Sequence, residues 1–237
     1  VGGGGDAWLA HYDSAGNPLW IHQLGTSSHD DALAAAPDGS GGVYVGGSTV
    51  GSLGGANAGG GDAWFAHYGS SATLLCEPGG GGVIACPCSN PPSGPGQGCN
   101  NSASTGGATI QALGVPSLAA DTLAFVASGE RPTALSLLVQ GTAVLPTGAV
   151  YGQGVRCLGG TLTRLFNRNA TGGGIRLPNY ALGDPTVSSR SATRGDPILP
   201  GESRWYFIYY RDPAVLGGCS ALSTFNSGPT MRADWVP

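Results

Sequence analysis

Apolar and polar positions alternate with a period of two along much of this chain, which is the pattern of strands that bury one face. Residues 230–236 place Met231, Ala233 and Trp235 on one side. Residues 204–210 carry aromatic side chains on both sides, which predicts a central strand with neighbours on both of its faces. No sustained helical period accompanies these runs. The pattern therefore predicts an all-β protein.

Two more segments extend this pattern toward the middle of the chain. Residues 122–126 form a short apolar run bounded by turn residues, and residues 134–140 place Leu135, Leu137 and Val139 on one face. Short strands separated by turn signals are typical of a β-sandwich. We expect a β-sandwich domain over residues 108–237.

The N-terminal part of the chain contains an internal repeat. Residues 6–12 recur as residues 62–68 with a single difference, Leu9 against Phe65, and each copy follows a run of glycines. Three further strand candidates lie between the copies, at residues 18–24, 31–36 and 42–47. Three or four strands per repeat is the size of one β-propeller blade.

Residues 1–68 resemble the bacterial β-propeller repeat called SBBP. The motifs that carry the resemblance occur in order at residues 5–8, 12–13, 16–17, 19–20, 23–25, 30–31 and 42–47. The resemblance implies one full blade plus the first strand of a second. A single blade cannot bury both of its faces. We therefore expect neighbouring chains or upstream blades to complete it.

Residues 76–237 resemble an uncharacterised C-terminal domain of secreted proteins from large-genome bacteria. The matching motifs lie at residues 85–88, 98–102, 140–141, 154–160, 164–165, 205–206, 210–212 and 235–237. The resemblance implies an extracellular location and no mechanism. The expected organisation is a propeller-like region, a Gly/Pro/Cys-rich junction and a sandwich, at residues 1–75, 76–107 and 108–237.

Six cysteines lie among glycine, proline and asparagine residues, at Cys76, Cys86, Cys88, Cys99, Cys157 and Cys219. An even number in such surroundings predicts disulfides and an oxidising compartment rather than a zinc site. We expect Cys157 to pair with Cys219, and we expect no bond between Cys86 and Cys88. Two pairings of the clustered cysteines remain open: Cys76–Cys86 with Cys88–Cys99, or Cys76–Cys88 with Cys86–Cys99.

Charge and composition narrow the classes of partner. All ten basic residues are arginine and the net charge is −4, so we predict no nucleic-acid binding. No apolar run approaches the roughly 20 residues of a membrane helix. Because the chain begins at Val1 and its only methionine is Met231, we expect a mature or processed segment, and removal of an upstream export signal is one explanation that stays open.

No catalytic constellation is apparent, and we predict neither an enzyme nor a bound cofactor or metal. His11 and His67 occupy the same repeat position, which indicates a structural role. The other two histidines, His22 and His29, lie near Asp30 and Asp31, where turn capping is a more common role than metal binding. Hydrolysis by a Ser/His/Asp triad is excluded from residues 108–237, which contain no histidine.

The arginines admit two interpretations. Arg211, Asp212 and Arg156 fit an ion-paired brace inside the sandwich. The alternative is an acidic-glycan site formed by Arg190, Arg194 and Arg204.

These observations together predict a secreted structural or adhesive protein that assembles by β-strand pairing into oligomers or an extracellular filament. The expected packing or association residues are Trp8, Trp20, Trp64 and Phe65. Two alternatives remain open: a carbohydrate-binding module for surface polysaccharide, and the accessory region of a larger secreted enzyme.

Overall fold

The protein is predominantly β. The computed structural model describes residues 3–12, 18–37, 42–68, 72–220 and 222–237, with the backbone alone for residues 11 and 18–20. Strands account for 49% of the structure and helices for 5%, which confirms the all-β class. The chain divides into two compact units, Val1–Gly69 (unit 1) and Ser70–Pro237 (unit 2). Within the described ranges, no helix is long and apolar enough to span a membrane.

Unit 1 contains five strands in two sheets. They are β1 (Ala7–Tyr12), β2 (Pro18–Leu24), β3 (Asp30–Pro37), β4 (Val43–Thr49) and β5 (Asp62–Tyr68). All five strand predictions in this region are confirmed. An antiparallel pair joins β1 to β2, and a three-stranded antiparallel sheet has the order β3-β4-β5.

The described part of unit 2 contains two sheets, one short α-helix and a 3-10 helix at Tyr180–Leu182. Its strands are β6 (Ala72–Leu75), β7 (Thr109–Leu113), β8 (Ala124–Ser128), β9 (Leu135–Tyr151), β10 (Gly154–Asn169), β11 (Ile175–Leu177), β12 (Ser203–Arg211) and β13 (Phe225–Asp234), and its α-helix is α1 (Val187–Thr193). The larger sheet has the order β10-β9-β12-β13-β6, and the smaller one β11-β8-β7. The aromatic strand β12 lies third of five, which confirms its predicted central position.

The main core of unit 2 takes side chains from both sheets. Met231, Ala233 and Trp235 are buried in it, as predicted from the alternation. Strand β9 contributes on both faces, because Leu138 joins this core while Val139 joins a second cluster on the other side of the sheet. The long C-terminal part of β9, residues 141–151, is mostly half-buried or exposed and contains Gly141, Pro146 and Gly148, residue types that normally signal turns, which explains why it escaped prediction.

The expected disulfide pairing is wrong for Cys157 and Cys219. The three bonds are Cys76–Cys157, Cys86–Cys99 and Cys88–Cys219. Of the open pairings only Cys86–Cys99 is confirmed, together with the absence of a bond between Cys86 and Cys88. The error has a physical cause: residues 76–107 are not a separate element. Strand β6, which leads into Cys76, pairs with β13, and two disulfides then tie this segment to the rest of unit 2.

Candidate functional site

Unit 1 has almost no hydrophobic core. Among its described apolar side chains, only Ala7 and Val45 are buried, with 5% and 2% of their surface exposed. Much larger side chains remain in solvent: Trp8 is 65% exposed, and Leu33 and Phe65 are each 72% exposed. Burial of large apolar side chains is the main favourable contribution to folding. Unit 1 therefore lacks the contribution that stabilises unit 2.

The exposed side chains are organised by the register of the three-stranded sheet. Residues directly opposite each other in antiparallel strands share one face. Two cross-strand rows define what we call the outer face: Ala36–Tyr44–His67 and Ala34–Gly46–Phe65. Every residue of these rows except Gly46 is exposed. The Tyr44 ring stacks on Phe65 and His67 at centroid distances of 5.5 and 4.4 Å.

On the opposite face of this sheet, the ring of Trp64 packs against the neighbouring strand β4. Its indole nitrogen donates to the Ser48 carbonyl oxygen at 3.1 Å. Its ring lies so close to Gly47 that a Cβ there would come within 2.7 Å of two ring atoms and 1.8 Å of the Asp31 carbonyl oxygen. Glycine at position 47 is thus what allows the ring and the neighbouring strand to approach.

The two copies of the repeat turn opposite faces outward. On β1 the exposed aromatic residue is Trp8, whereas on β5 its counterpart Trp64 is half-buried and Phe65 is exposed. Neighbouring side chains of a strand point to opposite faces. Because Ala7 points inward on β1 and Trp64 points inward on β5, Trp8 and Phe65 point outward. The side chains of Trp20 and His11 lie outside the described residues.

Strand β3 presents an unusual edge. At the first residue of β3, the Asp30 amide donates a hydrogen bond to the Gly5 carbonyl oxygen at 2.8 Å. Beyond Asp31, no other described strand pairs with it on its outer side. Residues 32–37 are all apolar and all exposed. Natural edge strands normally carry charges, prolines or bulges that block pairing. This stretch carries no charge, and its protection is limited to a register shift at Leu33 and a proline at its end, Pro37.

Asp30 fixes the start of β3. Its buried carboxylate accepts hydrogen bonds from the Thr26 amide at 2.6 Å and from the hydroxyls of Thr26 and Thr49. The Thr49 hydroxyl and the Thr26 amide stabilise the ionised form and lower the pKa of Asp30. This carboxylate therefore caps a turn, the role that its sequence context predicted.

The other histidine and acidic candidates are dispersed. His29 pairs with Asp31 at 3.2 Å on the surface, and His22 stacks on Tyr68 at 5.2 Å. No group of three or more His, Cys, Asp or Glu side chains converges within the part of the chain that the structure describes.

The arginine candidates in unit 2 are occupied by internal contacts. Arg204 is buried and bridges Glu202 at 2.8 Å and Asp196 at 3.5 Å. The Arg190 guanidinium lies 5.1 Å from the centroid of the Phe166 ring. These contacts leave only Arg194 of the three proposed glycan-binding residues as an exposed side chain.

The internal brace uses a different arginine from the one expected. Asp212 is fully buried and lies 3.6 Å from Arg131, while its neighbour Arg211 is exposed and donates to Thr224. The Arg156 guanidinium lies 5.3 Å from the centroid of the Tyr151 ring. The partner of Asp212 comes from a distant segment, which sequence adjacency does not reveal.

Comparison with protein-family models, with curated proteins and with solved structures gives no match to this chain. Its function therefore has to be argued from its own residues. The sequence predicted a strand at residues 31–36 and open strand edges in unit 1, but it did not single out β3 as the exposed edge. Residues 32–37 are all apolar, so apolar and polar positions do not alternate there, and the pattern does not show which face of the strand or which edge of the sheet is exposed.

Proposed function

We propose that this is a secreted, extracellular structural protein whose unit 1 joins copies of the chain by strand pairing. The observation that carries the proposal is the imbalance in unit 1, which buries Ala7 and Val45 while it exposes Trp8, Leu33 and Phe65. The three disulfides of unit 2 indicate an oxidising, extracellular-type environment. In this proposal unit 1 is blade-like and unit 2 is a sandwich that anchors it.

The partner that we propose for β3 is β3 of a second copy, in antiparallel two-fold pairing centred near Ala34. The backbone groups on the open edge of residues 32–36 would then meet their own counterparts, and Pro37, which has no N–H, would lie at the end of the pair. In this register Asp31 falls opposite Pro37 of the second copy. The acidic starts of the two strands are thereby kept apart at opposite ends of the pair.

The proposed pairing would join two three-stranded sheets into one of six strands. Covering Leu33 and other large exposed side chains would stabilise the assembly by roughly 1.5–3 kcal/mol for each one fully buried. Strand β5 lies at the far edge of each sheet. Pairing there as well would extend the assembly into a filament.

The experiment is a comparison of molecular mass by light scattering for the wild type and Ala34→Lys. Near a two-fold axis the substitution places two ammonium groups side by side at an edge, which opposes pairing. We expect a smaller mass for the variant, which falls to that of one chain where β3 pairing alone joins the copies. The control is Leu222→Lys, which adds the same charge at an exposed leucine of unit 2 and should leave the assembly intact. Equal masses for the wild type and Ala34→Lys would contradict the proposal.

A second candidate function is polysaccharide binding at the outer face. It is favoured by the exposed, stacked rings of Tyr44 and Phe65, because aromatic rings carry apolar contacts to sugars. The aromatic residues of β12 are buried or half-buried and offer no such platform. Retention on insoluble cellulose or chitin that is lost in Tyr44→Ala, and kept in the Ala34→Lys variant, would support this candidate over association.

A further inference from the structure

A buried amide in unit 2 is surrounded by the groups of an acyl-transfer site. Gln140 on β9 is fully buried, and its neighbours across the sheet are Tyr206 on β12 and Thr163 on β10. Its amide nitrogen lies 2.7 Å from the Ser191 hydroxyl oxygen and 2.7 Å from Asp196 Oδ2. Because a carboxylate only accepts hydrogen bonds, the contact with Asp196 fixes which end of the amide is the nitrogen.

The nucleophile is close to the carbon that it would attack. The Ser191 oxygen is 2.7 Å from the Gln140 nitrogen, and the amide C–N bond is about 1.3 Å long. The carbonyl carbon therefore lies within about 4 Å of that oxygen, somewhat beyond the roughly 3–3.5 Å of groups positioned to react, so attack requires the serine oxygen to shift from its hydrogen bond with the amide toward the face of the carbonyl. The serine is held in place by donating its hydroxyl to the Asp196 carbonyl oxygen.

The carbonyl oxygen of Gln140 faces a fixed donor. The Tyr206 hydroxyl donates to it at 3.0 Å, which is the distance of an oxyanion-hole donor. The Trp235 indole nitrogen donates to the same hydroxyl oxygen at 3.0 Å and so orients its hydrogen toward Gln140. Burial raises the pKa of Tyr206 well above its usual value, so the hydroxyl keeps its proton.

We propose that Gln140 and Ser191 form an intramolecular ester with release of ammonia. The Ser191 oxygen forms a bond to the Gln140 side-chain carbon, and the C–N bond breaks with its electron pair leaving on nitrogen. The hydroxyl proton passes to the departing nitrogen, which lies 2.7 Å from the serine oxygen and leaves as ammonia. Atoms and charge balance without an oxidant or a co-reactant.

The surroundings would preserve the product. Gln140, Ser191 and Tyr206 are fully buried, so water has little access to the ester bond. The crosslink would tie α1 to the central sheet and close residues 140–191 into a loop inside the larger loop of the Cys88–Cys219 bond. It is independent of the association of unit 1, because every group that takes part lies in unit 2.

The test is the intact mass of the denatured, non-reduced protein. We expect a mass lower by one ammonia molecule than that of the sequence with three disulfides. Tandem mass spectrometry should then find a linked peptide pair containing Gln140 and Ser191, which hydroxylamine opens. An unmodified mass overturns the proposal, and so does loss of ammonia localised to other residues.

Two variants separate this chemistry from a merely structural network. Ser191→Ala should restore the full mass, while the control Ser189→Ala removes an exposed hydroxyl from the same helix and should keep the loss of ammonia. Tyr206→Phe retains the ring and removes the donor, so the linked fraction should fall. Ammonia loss that persists in Ser191→Ala contradicts the assignment even if the wild type is modified.

Discussion

The carboxyl group of Glu130, which is only 1% exposed, accepts a hydrogen bond from the buried hydroxyl of Ser136. The second carboxyl oxygen has no hydrogen-bond partner among the described residues. Burial opposes ionisation and raises the pKa of Glu130 from 4.5 to about 7, while the Ser136 bond lowers it by less. The folded protein therefore holds a proton that the unfolded chain releases near pH 4.5.

This difference gives unit 2 a pH-dependent stability. Between pH 4.5 and about 7 the folded state binds more protons than the unfolded state, so the free energy of unfolding falls as pH rises. The contribution is fully present below pH 4.5, and up to about 3 kcal/mol is lost by pH 7. Glu130→Gln should flatten the dependence in urea unfolding across this window, and the exposed control Glu77→Gln should not. If the free energy of unfolding of Glu130→Gln depended on pH as steeply as that of the wild type, Glu130 would not be the group responsible.

The disulfides should contribute unequally. Their sequence separations are 13 residues for Cys86–Cys99 and 131 for Cys88–Cys219. The chain-entropy argument predicts losses of about 3 and about 5 kcal/mol on removal of the shorter and the longer bond. Paired Cys→Ser variants, compared by urea unfolding, should follow that order. Peptide mapping that found a Cys157–Cys219 bond would show that the pairing itself is different.

A buried and an exposed leucine of unit 2 allow the contribution of its core to stability to be tested with a control. Leu138 is fully buried and Leu182 is 65% exposed. Leu138→Ala should lower the free energy of unfolding by about 2–5 kcal/mol because it leaves a cavity. Leu182→Ala should change it by about 0.5 kcal/mol or less. Equal decreases in stability for Leu138→Ala and Leu182→Ala in thermal unfolding would contradict the assignment of Leu138 to the core.

Association should strengthen with salt. Unit 1 contains six aspartates and neither arginine nor lysine, so two copies meeting through it repel each other. At about 0.15 M ionic strength the screening length falls to roughly 8 Å, which weakens that repulsion. We expect the dissociation constant to decrease as sodium chloride rises. Dissociation by salt would instead indicate that opposite charges hold the copies together.

Much of the fold was predictable because local pattern and burial agree. The alternation of Met231, Ala233 and Trp235 gave the inward face of β13, and the aromatics of β12 gave its central position. The pairing of Cys157 was not predictable, because it depends on β6 crossing to the edge of the large sheet. A four-residue strand carries no signal of which neighbour it will join.

The buried polar groups were harder still to predict. Gln140 was noted only within a motif, and nothing in the sequence brings Ser191 and Asp196 to its amide from more than 50 positions away. Glu130 has an ordinary turn sequence around it. Such contacts depend on three-dimensional packing, which residue types and spacing do not encode locally.

In the association that we propose, unit 1 is completed by a second copy of the chain, and the mass of the 237-residue protein in sedimentation equilibrium at physiological salt decides whether it is. We expect a mass of twice that of the chain, or a larger multiple if β5 also pairs. A single species with the mass of one chain at all concentrations, with unit 1 resistant to protease, would contradict it.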